Sequence, residues 1–167
     1  MKKFTCILLL LVLLLSGCSG KNNGSGQKEE NKSGVSYTIE GVTIVPGEDF
    51  AAAYEKLGEP LKYTEAASCY FDGMDKVFTY DGFEIRTYPA EGNKDLVQDL
   101  CISSDKYSTK EGMTVGSSLD DVIKAYGEDY SLIGKMYKYY KEDGAYTYFF
   151  ISDDAVRYFG YATDASN

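Results

Sequence analysis

The stretch "GMTVGSSLDDVIKAYG", residues 112–127, decides the fold prediction because it contains a short helix with a signal at each end. Its apolar residues have the helical spacing i, i+3, i+4 and i+7: Leu119, Val122, Ile123 and Tyr126. Ser118 stands just before them, where a side-chain oxygen can accept from the first-turn N–H groups. Gly127 follows them, at a position that favours glycine. The pattern predicts a capped amphipathic helix.

A second stretch, "GVTIVPGEDFAAAYEKLG" at residues 41–58, matches the first when Val45 and Pro46 are treated as an insertion. The glycines and the apolar positions then coincide along both stretches. Asp49 takes the place of Ser118, so a side-chain oxygen again precedes the apolar stripe. The two stretches therefore predict two helices of the same kind.

The segments after the two helices also correspond. Residues 76–89 alternate around Asp81-Gly82, a favoured hairpin turn, and residues 139–152 carry Asp143-Gly144 at the matching point. A further strand is predicted in each half, at residues 96–103 and 155–162. The sequence thus predicts an α+β fold, with two tandem helix-plus-antiparallel-strand repeats forming one curved sheet and the helices on one face.

This arrangement resembles the β-lactamase-inhibitor-protein-like fold over residues 38–162, and each unit alone is similar to the small outer-membrane lipoproteins of the barrel-assembly machinery. The resemblance rests on the glycines and the apolar stripes of the two stretches. It implies helices on the convex side and a concave sheet face that can hold a protein partner. Inhibition of a β-lactamase is not implied, because the chain has no tryptophan and one candidate disulfide.

The N-terminus predicts export. Lys2 and Lys3 precede an apolar run over 7–15 that is too short to span a membrane, so residues 1–17 are expected to be a signal peptide. The sequence Leu15-Ser16-Gly17-Cys18 resembles the lipobox of bacterial lipoproteins, which implies that Cys18 carries the lipid. An ordinary secretory cleavage site beside a chance cysteine is the alternative.

A polar tract follows, "SGKNNGSGQKEENKSG" at residues 19–34, which has too few apolar residues to form a core. We therefore expect a lipidated N-terminus and flexible tether over 18–35, and a single domain over 36–167. The two repeats would divide that domain at about 36–106 and 107–167. This organisation predicts a protein anchored on the extracytoplasmic face of a bacterial membrane, in the cell envelope.

Two cysteines remain in the predicted domain, Cys69 and Cys101. An exported protein lies in a compartment that permits disulfides, so the two are candidates for a disulfide bond. Two buried free thiols are the alternative.

The charge limits the class of partner. The chain carries a net charge of −9, and removal of residues 1–17 leaves 15 basic and 26 acidic residues, about −11. Nucleic acid is therefore not an expected partner, because phosphate binding needs a basic surface. An acidic, solvated surface is the alternative to a specific basic partner.

Catalytic and metal-binding patterns are scarce. The chain has no histidine, which excludes Ser-His-Asp and Cys-His arrangements. Ser117 follows Gly116 where a phosphate-binding loop would need lysine, and there is no calcium-loop pattern. Paired carboxylates occur at 72–75, 120–121 and 153–154, where turns and an exposed helix face explain them. We predict no enzyme activity, no metal and no cofactor.

The chain is rich in tyrosine, with 16 residues. When the strands after the two turns are aligned, three residues of each half fall on the side away from the helices: Glu84, Arg86 and Tyr88 in the first half, and Tyr146, Tyr148 and Phe150 in the second. Such a face is typical of a partner-binding surface. The alternative is that the tyrosines fill half-buried sheet positions.

The leading functional prediction is a non-catalytic, inhibitor-like module that binds another exported or envelope protein. A carrier or sensor of a small ligand or cell-wall fragment, held between the two units, is the second hypothesis. A histidine-free hydrolase that uses Asp72 or Asp75 is the third.

Overall fold

The computed structural model describes residues 35–164. The predicted signal peptide, Cys18 and the tether up to residue 34 lie outside the described residues. In chain order the elements are β1 (Tyr37–Ile39), β2 (Val42–Ile44), α1 (Ala51–Leu57), β3 (Lys62–Ala67), β4 (Met74–Tyr80), β5 (Phe83–Ala90), β6 (Lys94–Ile102), α2 (Leu119–Tyr126), β7 (Ser131–Ile133), β8 (Met136–Tyr140), β9 (Ala145–Ser152) and β10 (Ala155–Thr163). Neither helix is long and apolar enough to cross a membrane.

The strands form two antiparallel sheets. β1 and β2 make a small hairpin, and the other eight strands form one sheet in the order β3-β4-β5-β6-β10-β9-β8-β7. β6 and β10 meet in the middle, where Leu100 pairs with Tyr161. β3 and β7 are the two edges of this sheet.

The main core lies on one face of the eight-stranded sheet. Ile85, Leu100, Phe149 and Phe159 on the central strands are fully buried there, at 0% exposure. α2 and the β1–β2 hairpin contribute buried residues to this same core, whereas the residues of α1 that pack against it are only partly buried. Burial of each such side chain stabilises the fold by on the order of 2 kcal/mol relative to exposure. The opposite sheet face carries a separate, smaller cluster of buried residues.

The helix predicted in the opening stretch forms as α2. The Ser118 side chain accepts a hydrogen bond from the backbone N–H of Asp121, at 3.1 Å. At the other end, Gly127 has φ 88° and donates its N–H to the Ile123 carbonyl oxygen. α1 begins differently: Phe50 is its N-cap and makes no side-chain cap bond, and Asp49 accepts from the Ala51 N–H instead.

The predicted fold class was wrong. The structure is mostly antiparallel β, with an eight-stranded and a two-stranded sheet, rather than an α+β fold of two tandem helix-plus-strand repeats. The helices have only 7 and 8 residues, about two turns each, so they are too short to form a layer of their own. Much of each matched stretch is instead strand, as at β2, or turn and irregular structure, as at residues 112–117.

Candidate binding site on the outer sheet face

The face of the large sheet that points away from the helices carries the candidate site, and we call it the outer face. The strand register aligns its central residues in two rows, which run from β5 through β6 and β10 to β9. The first row is Glu84, Cys101, Gly160 and Tyr148, and the second is Arg86, Asp99, Ala162 and Tyr146. On β8, Lys138 continues the first row and Tyr140 the second.

A buried carboxylate lies at the centre of this face. Asp99 is 7% exposed, and both of its oxygens are engaged. Oδ1 accepts from the Tyr148 hydroxyl at 2.7 Å, and Oδ2 accepts from Arg86 Nη1 at 3.1 Å. Arg86 Nη2 donates to Glu84 Oε1, also at 3.1 Å. One guanidinium therefore joins two carboxylates on neighbouring strands.

Burial controls the protonation of this cluster. It raises the pKa of Asp99 to about 6, against the opposing effects of the Tyr148 hydrogen bond and the Arg86 charge. It also raises the pKa of the Cys101 thiol to about 11. The pKa of Tyr148 is raised, first by burial and then by the charge of Asp99. At neutral pH the carboxylate is thus mostly ionised, and the thiol and the hydroxyl keep their protons.

Tyrosines form a second apolar cluster around the charged centre. Tyr146 and Tyr148 are 9% and 4% exposed, and Met136 and Tyr158 pack against them. The ammonium of Lys138 lies 4.1 Å from the centre of the Tyr146 ring, in a cation–π contact. Tyr146 and Tyr148, which were predicted to contact a partner, therefore lie on the predicted face. They are buried, however, and form the floor of this face.

The side chains that reach solvent surround this floor. The side chain of Arg86 is 47% exposed and that of Glu84 is 36% exposed. Tyr140 is 45% exposed and packs against Tyr146, with ring centroids 4.9 Å apart. A partner on this face would meet these three residues first.

Gly160 makes room for the floor. A Cβ atom at this position would lie 2.5 Å from the Tyr148 hydroxyl oxygen and 2.6 Å from its Cζ, and would collide with the Leu100 carbonyl oxygen. The requirement here is space for a ring that crosses β10. Any side chain at position 160 would displace Tyr148 from Asp99.

A cavity of about 540 Å³ opens on the outer face. Its walls include the charged pair Arg86 and Asp99, and the aromatic residues Tyr146 and Tyr158. This volume lies in the range of small-molecule sites. The arrangement offers apolar surface, the Arg86 guanidinium and the Glu84 carboxylate to a bound group.

Two residues predicted for this face lie apart from the cavity. Phe150 stacks on Tyr158, with ring centroids 4.7 Å apart and the planes nearly parallel. Tyr88 stacks on Phe71 at 5.1 Å, beyond a bulge in the β5–β6 pairing that follows Arg86. Tyr88 therefore packs against the β3–β4 connection and does not take part in the cavity on the outer face.

The expected disulfide is not formed, and Cys69 and Cys101 are free thiols. Cys69 is exposed in the β3–β4 connection, whereas Cys101 lies within β6. The register places Cys101 level with Lys62, at the far end of β3, so the two cysteines are on the order of 20 Å apart. A disulfide needs Cα atoms within about 7 Å.

The carboxylates considered for catalysis lie elsewhere. Asp72 is exposed between β3 and β4, and Asp75 is half-buried on β4 with its Oδ1 atom buried and without a hydrogen-bond partner. The pairs at 120–121 and 153–154 lie in α2 and in the β9–β10 turn. Within residues 35–164, no cluster of Cys, Asp and Glu could hold a metal ion.

Sequence reasoning missed Asp99, Gly160 and Lys138. A signal for Asp99 existed, because it interrupts the apolar strand "LVQDLCIS" at a position two residues from Cys101, on the same side of the strand. Nothing in the sequence indicated that Gly160 faces a tyrosine ring.

No protein-family model matches the chain, and no curated protein matches it. Among solved structures, the chain is similar to an extracellular protein containing an SCP domain from Bacillus anthracis str. Ames, with a TM-score of 0.50 and 16% identity. The match covers 71% of this chain and 44% of that chain, so this chain spans less than half the length of its neighbour. At this identity the likeness shows the fold alone. The resemblance to β-lactamase-inhibitor-like proteins stays a prediction from the sequence.

Proposed function

We propose that this protein is an exported lipoprotein, anchored through Cys18 to the extracytoplasmic face of a bacterial membrane, that binds another exported or envelope protein on its outer face. The signal-like N-terminus and the lipobox-like Leu15-Ser16-Gly17-Cys18 support the location. The description of the structural neighbour as extracellular agrees with it.

The composition of the outer face carries the proposal. Tyrosine, methionine and arginine are the residue types concentrated in protein interfaces, and this face presents Tyr140, Tyr158, Met136 and Arg86. The floor is held in place by the bonds of Asp99 to Tyr148 and Arg86. A partner would therefore bind a surface whose side chains are already ordered, which lowers the entropy lost on binding.

The chemistry of the centre supports binding without catalysis. Both oxygens of Asp99 already accept hydrogen bonds, so the carboxylate is poorly placed to take a proton from a substrate. The raised pKa of Cys101 keeps its thiol protonated, whereas the thiolate is the nucleophilic form. The raised pKa of Tyr148 likewise keeps its hydroxyl as a donor.

Site-specific photocrosslinking in the native cell tests the partner-binding role. A photoreactive phenylalanine analogue at Tyr140, on the exposed border of the outer face, should give an adduct with an exported protein. The same analogue at Tyr70, which is 85% exposed in the β3–β4 connection, is the matched control. Tyr146 and Tyr148 are unsuitable positions, because both are buried.

An adduct from position 140 that is absent from position 70 would support the proposal. Identical adducts from both positions, or none from position 140 in cells that display the folded protein, would contradict it.

The volume of the outer-face cavity favours a second candidate, a small-ligand or cell-wall-fragment carrier. Purified protein would be titrated with soluble cell-wall fragments while the melting temperature is followed. A saturable rise that is lost in Arg86→Ala would favour this second function over protein binding.

A further inference from the structure

A second aromatic cleft lies on the other side of the sheet, between α1 and the edge formed by β3 and β4. Phe78 forms its floor and is 8% exposed. Three rings pack around it: Phe50 at 4.8 Å, Tyr63 at 5.2 Å and Tyr54 at 5.7 Å between ring centroids. Tyr63 is 46% exposed and forms the outer wall. The cleft encloses about 490 Å³.

This cleft is separate from the outer face. Phe78 contributes to the main core, whereas Tyr146 and Tyr148 belong to the second apolar cluster. Substitutions that affect one cleft should therefore leave the other unchanged.

The charges around the aromatic cleft are mainly negative. Asp49, Glu59 and Asp95 lie at its rim, and Lys76 is the one basic residue in its lining. The Lys76 ammonium pairs with Asp95 Oδ2 at 2.7 Å, which leaves two further carboxylates in excess. An anionic or phosphorylated group would be repelled here, and a cation would be attracted.

We infer that this cleft binds a small organic cation that carries a substituted ammonium group. Aromatic ring faces attract a cation through their quadrupole, and an alkylated ammonium loses little hydration when it enters an apolar site. The cleft supplies both requirements, since aromatic rings form its floor and wall and carboxylates lie at its rim. An uncharged ligand of the same shape would gain only the apolar contact.

Choline and its uncharged isostere, 3,3-dimethylbutan-1-ol, are the probes. Binding would be measured by NMR titration of the purified chain at low ionic strength. Choline should shift the resonances of Tyr63 and Phe78 until the shifts reach a plateau. Its affinity should be about tenfold higher than that of the isostere. Added salt should weaken choline binding and leave the isostere unchanged.

Variants at the outer wall locate the site. Tyr63→Ala should weaken choline binding about tenfold, while Tyr63→Phe, which keeps the ring, should retain it. Glu59→Gln should weaken it about threefold by removing one rim charge. Tyr70→Ala, an exposed tyrosine outside the cleft, is the control and should bind as the unaltered chain does.

Three outcomes would overturn the inference. They are equal affinity for choline and its isostere, unchanged choline binding by a folded Tyr63→Ala variant, and no saturable binding. None of them bears on the outer face, so the proposed partner-binding role would stand or fall separately.

Discussion

The Asp99→Asn substitution tests whether the buried carboxylate of the outer face destabilises the protein at neutral pH. Burial raises the pKa of Asp99 from its ordinary 3.8 to about 6, although Tyr148 and Arg86 both stabilise the charged form. Asparagine keeps the size of the side chain and an acceptor oxygen for Tyr148. It has no charge to remove from water.

The sign of the effect follows from proton binding. A carboxyl group whose pKa is raised on folding holds its proton more tightly in the folded state than in the unfolded state. The stability that this group contributes is therefore complete below about pH 4 and is lost as the pH rises through about 6. A difference of about two pH units corresponds to about 3 kcal/mol. Relative to the unaltered chain, Asp99→Asn should gain up to about 3 kcal/mol in free energy of unfolding between about pH 4 and pH 7.

Urea unfolding across this pH range, at constant ionic strength and followed by circular dichroism, measures the difference. Asp153→Asn is the control for loss of a negative charge, because that side chain is 82% exposed in the β9–β10 turn. The quantity compared is the free energy of unfolding of Asp99→Asn minus that of the unaltered chain. If this value stays constant or falls as the pH rises, the reasoning is refuted.

Three further predictions concern single positions. Gly160→Ala should lower the free energy of unfolding by about 3 kcal/mol, because the new Cβ collides with the Leu100 carbonyl oxygen and the Tyr148 ring; an unchanged urea midpoint would contradict this steric conflict. Ser118→Ala should cost about 1 kcal/mol in urea unfolding through loss of the α2 N-cap, so equal midpoints would show that the cap contributes nothing. In the native protein at neutral pH, a thiol reagent followed by peptide mass spectrometry should label exposed Cys69 well before Cys101, whose pKa is about 11; equal rates would contradict the buried position of Cys101.

The local elements were largely predictable because their signals lie within a few residues. Ser118 begins α2 and Gly127 ends it, as the capping pattern indicates. Asp81-Gly82 forms the two-residue turn between β4 and β5. Asp143-Gly144 instead falls in a four-residue loop, because β8 ends at Tyr140. The dipeptide favours a turn but does not fix where the flanking strands stop pairing.

The edge strands and the fold class were not predictable by the same means. β3 has the sequence "KYTEAA", and all six of its residues are exposed, so it shows no alternation between apolar and polar positions. β7 has three residues, fewer than a periodic pattern needs. Because these strands were not predicted, the helices were expected to form a larger part of the fold than they do.

For the candidate site, alternation along single strands was informative and contacts between strands were not. Glu84, Arg86, Tyr146 and Tyr148 fall on one face, as the strand period indicates. The burial of the two tyrosines depends on contacts such as that of Tyr148 with Asp99, 49 residues away in sequence. A pattern in neighbouring residues cannot indicate a contact between residues so far apart in sequence.

The position of β6 beside β10 has a consequence for how the chain folds. Within the large sheet, all the ladders except β6–β10 join strands that are consecutive along the chain. The β6–β10 ladder pairs Ile102 with Phe159, which are 57 residues apart. The neighbouring ladders need only short loops to close, so they can form early, whereas the central ladder needs the whole intervening chain to be brought together. We therefore expect this single closure to limit the folding rate. The two halves of the sheet could join only after β10, the last strand along the chain, has been synthesised.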